Sequence, residues 1–318
     1  MVIDQAAPEK GTDGDMANVD DILAAEQPAF ARAVKAVITG DASALRRELS
    51  ARPALVHARS GSAHHATLLH YTAANGIEAE LQHEVLNADD IASMLLDAGA
   101  QPDARCDAYD GKCPTTLNLV VSSDHPNQAG VAGRLIAVLC SRRACVDGIG
   151  RDGSPLATAL CFANVDSVDA LLVAGARTEN VVFAAAAGNT DWVHGWLCGD
   201  RHDDRQSVPA SFPLSPDRKI AAEQALVFAG MCGRIDVVRL LLARGVDVNA
   251  NPPGSFRTGA ALHTAAMQGQ AGVVRFLLGQ GADPRIKDAR YQGTALEWTK
   301  HAPRRRSAMA KEVAGLLA

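Results

Sequence analysis

The 318-residue sequence sets 31 Lys and Arg against 36 Asp and Glu, a formal net charge of −5, and is 47% hydrophobic but only 4% aromatic. Without clustered basic residues a nucleic-acid surface is not expected, and no run of about 18 apolar residues is present to span a membrane. Seven cysteines, an odd number in no small-domain framework, read as free thiols of a reducing compartment, so a cytoplasmic location is expected.

Residues 1–20, MVIDQAAPEKGTDGDMANVD, are acidic and polar, lack the apolar stretch of a secretory signal and read as a disordered tail. Residues 21–318 read as a single array of helix pairs. The first unit, near 28–60, lines its helices with Ala33, Leu45 and Leu49 and turns Lys35, Arg46, Arg47 and Glu48 outward, as an end unit must. The second, near 66–105, opens TLLHYTAANG and carries an insertion, IEAELQHEV, before its second helix. The third, near 115–148, has a lengthened turn, DHPNQAG, at the same place, so the two insertions are expected side by side. The fourth, near 154–178, is compact. The fifth, near 179–200, follows so closely that Val181 comes 25 residues after Leu156, which leaves scant chain for a hairpin. Pro, Ser, Asp and Arg mark 200–219 as a long exposed loop. Units near 222–250, 260–285 and 294–318 complete the array, the last closing the stack.

The clearest unit is AALHTAAMQGQAGVVRFLLGQG, from Ala260 to Gly281. Leu262 and His263 open a short helix with Ala265 and Ala266 on its inner side, and Gly269 ends it where a left-handed backbone costs least. Val273, Val274, Phe276, Leu277 and Leu278 mark one face of a second helix, stopped by Gly279 and Gly281. Neither helix can bury its apolar face alone. This order resembles the ankyrin repeat. The family signature T-P-L-H-x-A-A…G is matched by Ala261, Leu262, His263, Ala265, Ala266 and Gly269, and its second half, V-V-x-L-L-L-x-x-G-A-D, by Val273 through Asp283. The resemblance covers roughly residues 28–318, weakest in the third and fifth units. It implies an all-α solenoid of about eight helix-turn-helix units with hairpin fingers and several insertions, acting as a non-catalytic protein-protein interaction scaffold or adaptor. It also implies that His70 and His263, at the same place in two units, fasten hairpins to their neighbours by hydrogen bonds.

No chemical motif competes with that reading. Gly148, Gly150 and Gly153 spell GxGxxG, but a helix rather than a strand precedes them, so they read as finger turns and not as a dinucleotide loop. Cys106, Cys113, Cys140 and Cys145 lack the close spacing of a tetrahedral zinc site. Arg304, Arg305 and Arg306 form the one basic run and read as charge on a capping helix. Neither catalysis nor a cofactor or metal is expected.

A stack of this kind offers hairpin tips and inner helix faces as one continuous concave wall. The longer fingers bring Tyr109, Asp110, Phe256 and Arg257 to tips, and a further tip carries Tyr291; aromatic and Arg side chains are typical anchors for a protein partner. The alternative for Tyr109, Phe256 and Tyr291 is to fold back over their own hairpins. From the inner helices, Tyr71, Asn75, Met231, Met267 and Gln268 are expected on the same wall. The partner is a protein of unspecified identity and the chain itself a monomer. The competing reading is an enzyme or metal-dependent factor with a pocket between the insertions of units two and three, built from His83, Glu84, Asp124 and His125.

Overall fold

The computed structural model describes residues 19–111, 114–151, 153–253 and 259–318. Among them every regular element is a helix; extended chain is confined to three isolated antiparallel bridges, Arg59 with Thr67, Arg105 with Thr115 and Lys287 with Thr294, which close three fingers. The chain enters through α1 (Val19–Ile22), so Val19 and Asp20 do not belong to a tail: Val19 and Leu23 are buried in the core. Residues 1–18 of the expected tail lie outside the described residues.

The first helix pair is α2 (Pro28–Ile38) with α3 (Ala42–Ala51), the second α4 (Leu68–Tyr71) with α5 (Ala88–Asp97). A finger containing α6 (Ala108–Gly111) leads to α7 (Thr116–Ser122), an inserted turn α8 (Asp124–Ala129) and α9 (Ala132–Ser141). Then come α10 (Ser154–Cys161) with α11 (Val165–Val173), and α12 (Val181–Ala187) with α13 (Thr190–Cys198). The remaining pairs are α14 (Arg218–Met231) with α15 (Ile235–Ala243), α16 (Ala261–Met267) with α17 (Ala271–Gly279), and α18 (Ala295–Trp298) with α19 (Ser307–Leu317).

Local chemistry sets these boundaries. Pro28 starts α2, where a missing N–H is no loss. The side chains of Asp41, Asn180, Asn189 and Asp217 accept from the N–H groups of Ala44, Phe183, Trp192 and Lys219 and so cap α3, α12, α13 and α14. Gly188 and Gly199, at φ of 82° and 90°, end α12 and α13 in the left-handed conformation that a side chain disfavours. Helices this short have no interior, so burial comes from neighbours. α7 packs on α10 and α9 on α11; in the second half α12 packs on α14, α14 on α16 and α16 on α18. Leu117, Leu135, Leu171, Val238 and Leu277 are fully enclosed in the one core this creates.

The ladder is irregular at one junction. α11 ends at Val173 and α12 begins at Val181; the linker 174–180 is too short for a finger, and α12 meets α11, an outer helix, rather than extending the inner row. Arg234, which precedes α15, stitches the junction by pairing with Asp169 of α11 and donating to Ala186 O of α12 at 2.7 Å. Beyond it the array turns back on itself. The Gln268 amide donates at 2.9 Å to Ala163 O, 105 positions earlier in the turn between α10 and α11. The stretch expected as an exposed loop also folds inward: Phe212 and Leu214 are buried, with Phe212 against Phe183 and Phe228.

His70 and His263 both fasten fingers. His70 Nδ1 accepts from the Thr67 N–H at 3.1 Å, which leaves Nε2 to donate to Ala104 O at 3.0 Å. His263 Nε2 donates to Ile286 O and Gly293 O at 3.1 and 3.2 Å. The two differ behind the ring. Thr67 places its hydroxyl 2.8 Å from His70 Nδ1, whereas Ala260 stands at the equivalent position before α16 and His263 Nδ1 is buried without a hydrogen-bond partner.

Two outcomes follow. Ala260→Thr supplies both a helix cap and a partner for that nitrogen, so it should stabilise the chain by about 0.5–2 kcal/mol in urea unfolding; a loss of stability would refute the account of His263. Burial pushes the His70 pKa down from 6.5 to about 4. The unfolded chain therefore takes up this proton first, and stability that is complete above pH 6.5 is lost as the pH falls towards 4. The loss is on the order of 3 kcal/mol, and the His70→Gln protein should show a flatter dependence of melting temperature on pH across that window.

Candidate interaction surface

The first two fingers are bonded into one platform. Arg59 Nη1 donates to His65 O at 2.8 Å in its own finger and to Arg105 O at 2.7 Å in the next. The Asp107 N–H donates to His64 O at 2.7 Å, and His65 Nδ1 lies 2.6 Å from the Asp107 carboxylate. Beneath them His64 Nδ1 accepts from the Ala66 N–H at 3.0 Å, so its Nε2 donates to Glu78 Oε1 at 2.9 Å. Burial pushes the Glu78 carboxyl up, but the His64 hydrogen bond and its neighbours outweigh that and hold it below its ordinary value. Both oxygens of Glu26 accept from the Gly61 N–H at 3.0 Å.

Tyr109 stands on this platform in a left-handed backbone, φ 54°, which costs a residue with a side chain roughly 1–2 kcal/mol. Its hydroxyl donates to Asn75 Oδ1, and Asn75 in turn donates to Leu119 O at 3.2 Å and Ser122 Oγ at 2.7 Å. The ring folds towards its own unit yet stays 45% exposed. The last finger is built around buried Asp288, whose carboxylate accepts from the N–H groups of Arg290, Tyr291 and Gly293 and from the Trp298 indole. Burial raises the Asp288 pKa, but these four donors outweigh it and the net shift is downward. Tyr291 projects from the loop, 66% exposed, with the Arg290 guanidinium 5.3 Å from its ring centre.

The inner helices do not supply the expected wall. Tyr71, Met231, Met267 and Gln268 are only 1–2% exposed, so none is a contact surface. Tyr71 packs edge-on against Phe30 and His64, and burial pushes its phenol well above the usual range. Met267 and Gln268 face the turn 162–166 of the folded-back first half. Phe256, Arg257 and Cys113 lie outside the described residues; Asp110 falls in α6 with its side chain outside them. Of the ten residues expected to meet a partner, Asn75 and Tyr109 come together, and Tyr291 sits on a separate finger.

The C-terminal basic run is a clasp rather than a solvated cap. Arg304 pairs with Glu84 and donates its N–H to Gln128 Oε1 at 3.1 Å. Arg305 and Arg306 share Asp166, at 2.9 and 2.5 Å, and Arg306 also reaches Gln268 O at 3.4 Å. Along this seam runs a cleft of about 190 Å³ lined by Asp124, Phe162, Gln268, His301 and the two arginines, among others.

Residues 181–288, from α12 to the last finger, match the family model described as ankyrin repeats (3 copies). Over those residues the chain is built of ankyrin repeats. A search of curated proteins finds no match. Among solved structures the human ASB11 ankyrin repeat domain is similar, at 21% identity over 80% of this chain and 98% of that one, with a TM-score of 0.32.

In this ankyrin array the insertions of repeats two and three serve the clasp. They carry Glu84 and Gln128 to the arginines: Glu84 is held by Arg304, Asp124 lines the seam, and His125 lies near both Asp124 and His83. Burial lowers the His125 pKa and outweighs the neighbouring Asp124 carboxylate, which raises it; His83 adds to the lowering. Among the described residues no group of three His, Cys, Asp or Glu side chains is placed to hold a metal ion. The seam residues were not legible as a set, because Glu84, Asp166 and Arg305 are far apart in sequence and each alone reads as a solvated charge.

Charge pairs that hold two halves together weaken in salt. Asp166→Ala combined with Glu84→Ala should leave the helical circular dichroism intact and enlarge the radius of gyration in small-angle scattering, and wild type should move the same way at about 1 M salt, where the screening length is near 3 Å. Superimposable scattering curves for both proteins would disprove the clasp.

Proposed function

We propose that the chain is a non-catalytic adaptor that binds a protein partner through its finger tips and the concave surface still open in repeats two to four, with Tyr109 as the central anchor. The supporting observation is the treatment of Tyr109: a half-exposed aromatic ring kept in a strained backbone, at a tip braced from behind by Arg59, Asp107 and Asn75. Strain of this sort persists only where the surroundings enforce it, and it gathers at working sites. A rigid aromatic on a braced tip loses little freedom on binding. Asn118, Ser122 and Thr158, half-buried on α7 and α10, extend the same face with hydrogen-bonding groups. Tyr291 supplies a second contact at the far end of the array. Ankyrin repeats are generally protein-interaction modules, and no described helix is long and apolar enough to cross a membrane. The described cysteines are free thiols, in keeping with a cytoplasmic setting.

A photo-cross-linking amino acid at position 109 should trap a discrete partner from native lysate, while the same group at Val173, exposed at the end of α11, should not. Tyr109→Ala should lower capture by about tenfold or more, as loss of an interface anchor does, with a fall in melting temperature below about 5 °C. Equal capture by wild type and Tyr109→Ala would refute the anchor.

A further inference from the structure

We infer that the inner face of repeats five and six is a peptide-binding groove, occupied in cis by the strap 208–217, and that it accepts from a protein partner a turned segment of the same chemistry: an aromatic residue, a proline and an aliphatic residue in succession.

The strap runs VPASFPLSPD between α13 and α14. Among the described residues of 200–217 only Phe212 and Leu214 are buried; the surrounding Arg205, Gln206, Ala210, Ser211, Pro216 and Asp217 are exposed. Phe212 packs on two adjacent inner helices, edge-on to Phe183 of α12 at 5.4 Å and tilted on Phe228 of α14 at 5.9 Å between ring centres. Gln224 of α14, itself 2% exposed, holds the backbone on either side of Leu214. Its Nε2 donates to Pro213 O at 2.6 Å and its Oε1 accepts from the Ser215 N–H at 3.0 Å.

A side-chain amide that takes one carbonyl and the N–H two residues on holds the main chain of the segment, while its buried side chains give selection. Phe212 and Leu214 are those side chains, brought together by a tight turn at Pro213 in which the Leu214 N–H donates to Phe212 O at 2.9 Å. Pro213 between them has no N–H left to satisfy. None of this recognition depends on a covalent link to the array.

The ends of the strap are held apart from the groove. Asp203 accepts from the Val181 N–H at 2.8 Å, the Asp204 N–H donates to Glu179 O at 2.7 Å, and Asp217 caps α14. The middle can leave while both ends stay. A trans segment therefore competes with a tethered occupant at high effective concentration, which makes the strap a built-in threshold for that partner. The groove is distinct from the Tyr109 surface, so the two readings stand or fall separately.

The test uses the full chain and a fluorescein-labelled synthetic peptide of residues 208–217, followed by fluorescence anisotropy. Phe212→Ala with Leu214→Ala frees the groove, and this protein should bind the peptide saturably. Wild type should bind about tenfold more weakly or worse, because only its open fraction is competent. Adding Gln224→Ala to the freed protein should abolish binding, as should replacing the peptide's own Phe and Leu by Ala. No saturable binding to a freed protein that retains helical circular dichroism and a cooperative melt would overturn the proposal. Should the freed protein not fold, amide hydrogen exchange on wild type decides: Ser215 exchanging at least about tenfold faster than residues 225–231 of α14, a strap that opens on its own, supports the groove, whereas equal protection makes the strap permanent core and overturns it.

Discussion

A pair of helices of seven to ten residues has no inside, and the rest of the structure depends on that fact. Each pair must borrow its interior from the next, which is why inner helix packs on inner helix and why Leu171 or Leu277 is enclosed only with its neighbour in place. The same dependence makes the array sensitive to its connectors. A finger needs chain, and 174–180 does not provide it, so the inner row loses its register between α10 and α12 and the second half swings round to meet the first.

The departures from a regular ladder then account for one another. Once the halves approach, the end of α16 and the chain after α18 lie over the turn 162–166, and Gln268 and Met267 are sealed there. The insertions of repeats two and three, which look idle in a straight ladder, carry Glu84 and Gln128 to Arg304. Asp166 at the start of α11 receives Arg305 and Arg306 together. The strap 200–217 closes over α12 and α14 with Phe212 and Leu214. An ankyrin array that covers part of its own concave face in this way keeps Tyr109, on the platform of the first two fingers, and Tyr291, on the last, exposed.

Side-chain chemistry close in sequence was readable in advance, and chemistry across the fold was not. The fastening by His70 and His263 follows from their place three residues into a helix beside a finger. Tyr71, Met231, Met267 and Gln268 misled because a position open to solvent in an isolated repeat is covered here by chain from another repeat. Phe212 and Leu214 did leave a trace: they are an apolar island in a loop otherwise made of Pro, Ser, Asp and Arg. Gln224 left none, since a glutamine on a helix announces neither burial nor partner.

By itself the sequence determined the helix pairs, their caps, the fingers and the missing finger before α12, because periodicity, capping side chains and connector length act over a few residues. Only the tertiary structure decided the fold-back, the arginine clasp, the filled inner face and the presentation of Tyr109. Those arise from contacts between residues as far apart as Ala163 and Gln268, whose meeting depends on the accumulated angles of every repeat between them.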